Sequence, residues 1–309
     1  MPLVSVIMNI RNGAAFLREA LDSAMTQTFT DWELIAWDDR STDDSARIVG
    51  EYQDPRVRYF LSPQETPLGK ARHNAIRKAH GEWLAFLDQD DTWTPTKLEK
   101  QMALAGNDVA IIYGRTLLVW PDGRKRDYDQ AHEFIPLPEG DIFSELFRSA
   151  CFIAMSSAVL RRSAVEEVGG IPDSVELTPD FYLYAAIARR YKARAVQEVV
   201  CRYRVHPGSM THSNRRELFE EPLALVEHWS NELDPQIVAY RRMTYSTALA
   251  LEEMRTLASA RRGILRLFTQ GSVRWLMGRP FIHAQRAIRR RMRQPYWQAA
   301  PVRTQTPGP

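Results

Sequence analysis

Three carboxylates fall within four positions at Asp88-Gln89-Asp90-Asp91, directly after the apolar run 83–87. Carboxylates this close repel one another unless a cation or protons neutralise them. Their hard oxygens suit Mg2+ or Mn2+, which usually bind through one or two carboxylates together with substrate phosphates. A metal held in this way would bridge a diphosphate and stabilise the charge that develops as it leaves. Two more polar clusters also follow apolar runs, Asn9 to Asn12 after residues 3–8 and Asp38 to Asp43 after residues 33–37. Turn and capping chemistry would account for one such cluster. Three in succession point to a site. The chain has neither a GxxxxGK[ST] loop nor a GxGxxG turn, so a diphosphate is expected to be held by metal and side chains, not by a glycine-rich cradle.

The elements that must position these clusters alternate between strand and helix patterns over the first hundred residues, which implies βαβ units and a mostly parallel α/β sheet. In such sheets ligands bind outside the carboxyl ends of the strands, where all three clusters sit. Strands are expected at 3–8, 33–37, 57–61 and 83–87. Helices are expected over residues 16–24, after a cap at Ser41 or Thr42, over 69–79, and from an N-cap at Thr94 with Pro95 in the first helical position. Farther on, 109–113 and 116–120 read as two strands, with Pro121-Asp122-Gly123 turning the second into a hairpin. Residues 152–160 read as a strand, 163–168 as a helix closed by Gly169-Gly170, 180–191 as an amphipathic helix, and 195–205 as a strand. From Arg215 onward the pattern is helical, and the last dozen residues read as disordered.

With 44% hydrophobic and 26% charged residues the composition is that of a globular chain. Two cysteines, Cys151 and Cys201, exclude a disulfide framework and a cysteine-built zinc site. They favour a reducing, cytoplasmic setting. The N-terminus lacks the pattern of a signal peptide, and no uncharged stretch reaches the length of a spanning helix. The net charge of +3 hides an asymmetry. The segment from Arg261 to Pro309 holds eleven arginines and no Lys, Asp or Glu, which leaves 30 Lys and Arg against all 38 Asp and Glu before it. Between 261 and 293 the arginines interleave with apolar residues such as Leu267, Phe268, Trp275 and Phe281. Such a segment suits an anionic membrane surface, or a helix docked on the acidic body. No nucleic-acid recognition motif accompanies it.

The runs "VSVIMNIRNGAAFLREALDSAMTQTFTDWELIAWDDRSTDDS" and "GKARHNAIRKAHGEWLAFLDQDD" resemble the N-terminal half of glycosyltransferase family 2. The resemblance continues through "SSAVLRRSAVEEVGGIPDSVELTPDFYLYAAIARRY" to "YRVHPGSMT", so it covers roughly residues 3 to 211. It implies an inverting enzyme of GT-A fold over residues 1–214, with a nucleotide-sugar-binding half at 1–113 and an acceptor-binding half at 114–214. A helical, arginine-rich extension would follow at 215–309. The implied donor is a UDP-sugar or other nucleoside-diphosphate sugar with Mn2+ or Mg2+. The implied acceptor is a glycan or lipid-linked sugar, which fits a cytoplasmic enzyme attached to the inner face of the plasma membrane through 261–293. The sequence leaves the sugar, the linkage and the oligomeric state open.

The same resemblance implies roles for individual residues. Asn9, Ile10, Asp38 and Asp39 would contact the nucleoside, while Arg72 and Asn74 would lie near the donor. Asp88 would be the first carboxylate of the D-x-D motif with Gln89 beside it, and Asp90 with Asp91 would take the metal. His206 would reach the metal or the diphosphate, and Arg204, Ser209 and Thr211 would help close a loop over the phosphates. Asp180 would be the general base that takes the acceptor hydroxyl's proton. Where the family shows Glu-Asp at this helix start, the chain has Thr178-Pro179-Asp180, which leaves open the role of the missing glutamate. It is also the one feature favouring an inactive nucleotide-sugar-binding scaffold as the alternative. A sugar-1-phosphate nucleotidyltransferase would need a glycine-rich loop after the first strand, and Asn9 to Gly13 supplies none.

Overall fold

A computed structural model describes residues 2–127, 136–209 and 216–254. In chain order its elements are β1 (Val4–Ile10), α1 (Leu17–Met25), β2 (Trp32–Asp38), α2 (Ser45–Gly50), β3 (Val57–Leu61), α3 (Leu68–Ile76), β4 (Trp83–Phe86), β5 (Thr92–Trp93), α4 (Lys97–Met102), β6 (Val109–Val119) and β7 (Lys125–Asp127). There follow α5 (Phe143–Arg148), a 3-10 turn (Met155–Ser157), β8 (Val159–Arg161), α6 (Arg162–Glu167), α7 (Pro179–Ala188), β9 (Lys192–Arg204), α8 (Glu217–His228) and α9 (Pro235–Met254).

The strands form one sheet in the order β3-β2-β1-β4-β8-β6-β9-β5, with β7 on β6. The first four pair in parallel, as the alternating pattern predicts. Beyond them the sheet is mixed, because β8 is antiparallel to both β4 and β6 while β9 is parallel to β6. The alternation of side chains along a strand divides the core into two layers. Val4, Val6, Met8 and Ile10 of β1 join Leu17, Ala20, Leu21 and Ala24 of α1 on one face, and Ile7 joins Ala71 and Ala75 of α3 on the other.

The chain runs from β1 outward through β2 to β3, then returns to place β4 on the opposite side of β1. That reversal opens a crevice at the carboxyl ends of β1 and β4, the place where open α/β sheets bind ligands. Asn9 to Gly13 and Asp88 to Asp91 border it.

Several elements depart from the sequence reading. Helix α2 starts at Ser45, because Ser41 and Thr42 are occupied elsewhere: Ser41 Oγ accepts the Asn12 N–H, and the Thr42 N–H donates to Asn12 Oδ1. Helix α4 starts at Lys97, two residues past Pro95, since the Thr94 N–H is drawn to the carbonyl of Val200 on β9. The two strands expected at 109–113 and 116–120 are one, with register irregularities around Gly114 and Arg115. A Cβ at Gly114 would lie 2.7 Å from Val200 Cγ2, so the close pairing of β6 with β9 needs glycine there. Within 152–160 the chain forms a 3-10 turn, and only Val159–Arg161 is strand.

Helix α7 is not amphipathic. Pro179, Phe181 and Leu183 through Ala188 are all buried, because the helix packs against α5, α6 and β6. Tyr182 packs on Trp229, which also stacks edge-on against Phe143 and Phe147. Leu225, Val226, Ile237, Val238 and Tyr245 belong to the same core layer as α3 and α7. Among the described residues no helix is long and apolar enough to cross a membrane. The arginine-rich segment 261–293, the expected disorder of the last dozen residues, and Thr211 lie outside the described residues.

Candidate active site

The crevice is held together by backbone ties. Gln89, between the two aspartates of D-x-D, bonds to the backbone of Arg11. Its Oε1 accepts the Arg11 N–H at 2.8 Å and its Nε2 donates to the Arg11 carbonyl at 3.0 Å, locking the end of β4 to the end of β1. Gly13 makes room for this clamp, since a Cβ there would stand 2.3 Å from Gln89 Oε1. The Asp43 carboxylate accepts the N–H groups of Ala14 and Ser45, tying the β1–α1 turn to the β2–α2 turn.

On the expected nucleoside side, Asp38 is buried and accepts the Ser41 N–H and the Tyr59 hydroxyl, each at 2.7 Å. Asp39 accepts the Thr66 N–H and hydroxyl, both at 3.0 Å. Both carboxylates thus shape loops as well as lining the crevice. Asn9 presents a buried Nδ2 with no protein partner, a donor that a ligand would satisfy. The Ile10 side chain is in the core and its carbonyl is taken by the Asp39 N–H, so Ile10 supports the wall.

Arg72, only 5% exposed, donates to Asp88 Oδ1 at 2.5 Å. Its charge also acts on Asp180 and Tyr184, so the candidate base lies within electrostatic reach of the guanidinium that holds Asp88. Burial pushes the Asp180 carboxyl up from the ordinary aspartate range, against the opposing pull of Arg72. A carboxyl raised in this way is a better proton acceptor than an ordinary surface aspartate. Asp180 also accepts the Phe181 N–H at 2.8 Å, which fixes its direction in the first turn of α7. Asn74 does not join this group. It follows Arg72 by two positions on α3, which places it about 200° around the helix.

Asp90 and His206 meet across the crevice, with Oδ2 and Nε2 2.9 Å apart. The imidazole rests on the Phe16 ring, centroids 4.8 Å apart. Asp91, expected alongside Asp90 as a metal ligand, is turned inward. It is 1% exposed, its Oδ1 accepts the Arg204 N–H at 3.0 Å, and it lies beside the Ser156 hydroxyl. Burial and the neighbouring Asp90 and Asp88 push its carboxyl well above the ordinary range. Arg204 is engaged with the frame of the site: it donates to the Asp90 carbonyl, pairs with Glu19 and covers Phe16. Among the described residues no three His, Cys, Asp or Glu side chains converge as a ready-made metal cage. The pair Asp90 and His206 offers one oxygen and one nitrogen donor, both partly accessible. That set suits Mn2+ completed by diphosphate oxygens.

Three contributors were not legible in the sequence. Ser156 accepts the Asp88 N–H through its hydroxyl and the Trp93 indole N–H through its carbonyl, fastening the D-x-D loop from below. Phe16 and Glu19 of the α1 region hold His206 and Arg204 from the far end of the chain. These contacts span 63 to 190 positions, and no local pattern announces them.

Residues 5–169, more than half of the chain, match the family described as Glycosyl transferase family 2. The chain is 27% identical over 244 residues to UDP-Glc:alpha-D-GlcNAc-diphosphoundecaprenol beta-1,3-glucosyltransferase WfgD of Escherichia coli, covering 74% of this chain and 91% of that one. Among solved structures it resembles S. aureus TarS 1-349 in complex with UDP-GlcNAc, with a TM-score of 0.59 at 16% identity over 86% of this chain and 72% of that one. It likewise resembles the mannosyltransferase PcManGT from Pyrobaculum calidifontis in complex with GDP-Man and Mn2+, with a TM-score of 0.60 at 20% identity over 97% of this chain and 88% of that one. Taken with the crevice between β1 and β4 and the carboxylates around it, these matches show that the chain belongs to glycosyl transferase family 2 and is a glycosyltransferase of GT-A fold.

Proposed function

We propose that this enzyme transfers a sugar, with inversion, from a nucleoside-diphosphate donor to a glycan or lipid-linked acceptor. The observation that carries the reading is the buried Arg72–Asp88 ion pair beyond the end of β4, with the buried Asp180 carboxyl at the start of α7 within electrostatic reach of the same guanidinium. Asn9 and the walls built by Asp38 and Asp39 receive the nucleoside, and Asp90 with His206 would hold a divalent cation. When bound, that cation neutralises the departing diphosphate. Asp88, fixed by Arg72, orients the donor sugar. Asp180 takes the proton from the acceptor hydroxyl as its oxygen attacks the anomeric carbon. UDP is the favoured nucleotide because WfgD is named for UDP-Glc and TarS was solved with UDP-GlcNAc. WfgD's named acceptor, a sugar on diphosphoundecaprenol, supports a lipid-linked acceptor and a site of action at the membrane surface.

Pro179 does not argue for an inactive scaffold. It occupies the first turn of α7, where its missing N–H is harmless and its fixed φ fits. Asp180 keeps its place beside Arg72. The test is a panel of nucleotide sugars with Mn2+, read first as thermal stabilisation and then as release of nucleoside diphosphate. At least one UDP-sugar should raise the melting temperature and turn over, and Asp90→Ala should abolish both effects of the metal. Binding and turnover that persist undiminished with chelator present, or in Asp90→Ala, would remove the metal assignment.

A further inference from the structure

The helices that follow the family-matched region reach back to the start of α7. Glu221, in α8, directs its carboxylate at three consecutive backbone N–H groups. Oε1 accepts Glu176 at 3.1 Å and Leu177 at 3.0 Å, while Oε2 accepts Leu177 at 3.0 Å and Thr178 at 2.8 Å. The Thr178 hydroxyl also donates to Oε2, at 2.9 Å. Thr178 is the N-cap residue of α7, but its own side chain caps nothing in the helix. Its hydroxyl is spent on Glu221, so this carboxylate organises the helix entry from outside. Asp180 follows two residues later.

We propose that Glu221 is a positioning residue for the base: by gripping the amides of 176–178 it fixes the entry of α7, and thereby the direction of the Asp180 carboxylate. The inference rests on the reading of Asp180 as the base. It gives α8 a part in the reaction without contact with substrate. It also supplies an acidic anchor at a helix start where the family's glutamate is replaced by Pro179. A carboxylate that accepts on both oxygens suits this role, because every group it meets is a donor. A glutamine in its place would turn an NH2 donor toward one side of that row while keeping the size. Misplacement of a reacting group by about 1 Å costs on the order of 100-fold in rate, so a modest loosening of this loop has a large kinetic effect.

The experiment compares the full chain with Glu221→Gln, Asp180→Asn and the double variant. Turnover is read as nucleoside diphosphate released from whichever of UDP-glucose, UDP-GlcNAc or GDP-mannose the wild type turns over fastest with Mn2+. Donor-side integrity is read as UDP affinity with Mn2+ by calorimetry. Glu221→Gln should lose 10- to 100-fold in kcat, keep its UDP affinity within about twofold, and exchange the amides of 176–178 faster. The Asp180 carboxyl faces Arg72 from α3, Asp88 from the end of β4, Tyr184 from its own helix and Cys151 from the loop after α5. Water admitted by the loosened entry should move the acidic limb of its kcat–pH profile to lower pH, a change that general destabilisation would not produce. In the Asp180→Asn background, Glu221→Gln should cost nothing further.

A wild-type kcat in Glu221→Gln, equal losses in both backgrounds, or a parallel collapse of UDP affinity would overturn the positioning role while leaving the base in place. Wild-type turnover in Asp180→Asn would remove the base itself, and this inference with it. Thr178→Val, which deletes only the hydroxyl contact, should show the same signature at smaller size and covers the case in which Glu221→Gln fails to fold.

Discussion

Replacing Arg72 with methionine tests the electrostatic heart of the site. The side chain is 6% exposed and its partner Asp88 28%, so the substitution leaves a largely buried carboxylate without its cation. Breaking a fully buried pair costs about 3 to 5 kcal/mol; solvent reaching Asp88 reduces this to about 2 to 3 kcal/mol. Asp180 loses the one cation that opposes its desolvation. The Asp180 carboxyl should then rise further above the ordinary aspartate range, because desolvation acts on it unopposed by that guanidinium. Since the proposed base works ionised, a higher pKa moves the acidic limb of the kcat–pH profile upward. Urea denaturation measures the first effect and nucleoside-diphosphate release across pH the second. Adding Asp88→Asn should recover most of the lost stability, because no orphaned charge then remains. An acidic limb that stays put or moves down, or a double variant no more stable than the single one, would refute the reasoning.

Gly13→Ala places a methyl against Gln89 Oε1 and should break the clamp on Arg11, costing about 1 to 3 kcal/mol. UDP–Mn2+ affinity should fall with it, and unchanged melting and calorimetry would show the clamp to be dispensable. Lys97 is fully buried, 4.1 Å from the Trp93 ring centroid and bonded to Gln101 at 2.6 Å, and burial pushes its ammonium down to about 7. Its folded pKa lies below the unfolded one, so the unfolded chain binds the extra proton between about pH 7 and 10.5 and stability should rise with pH across that window. Lys97→Met should be more stable than wild type at pH 6 by on the order of a few kcal/mol, with the gap closing by pH 10. Denaturation curves that run parallel from pH 6 to 10 would contradict this.

Helices α8 and α9 bear on how the enzyme is divided. Trp229 meets Phe143, Phe147 and Tyr182, and the Arg241 guanidinium donates to the carbonyls of Phe147 and Arg148 at the end of α5. The packing around α5 and α7 is thus built from both sides of the sequence position 214.

Short-range chemistry made the N-terminal half readable. Apolar runs, buried almost throughout, ended in Asn9, Asp38 and Asp88, and parallel pairing must bring consecutive strand ends to one edge, so their convergence followed from pattern and topology rules. Direction and pairing of individual side chains were not readable. Nothing local distinguishes Asp90, which faces His206, from Asp91, which turns inward to the Arg204 amide. Gln89 stands inside the motif yet serves the backbone of Arg11. The burial of α7 draws on Phe147 of α5, which meets Phe181, and on Trp229 after α8, which meets Tyr182, and the grip of Glu221 on Thr178 spans 43 positions. Hydrophobic periodicity and turn chemistry act within a few residues and are written in sequence order. Which carboxylate meets which donor is decided by the packing of distant elements, and only the folded chain contains that information.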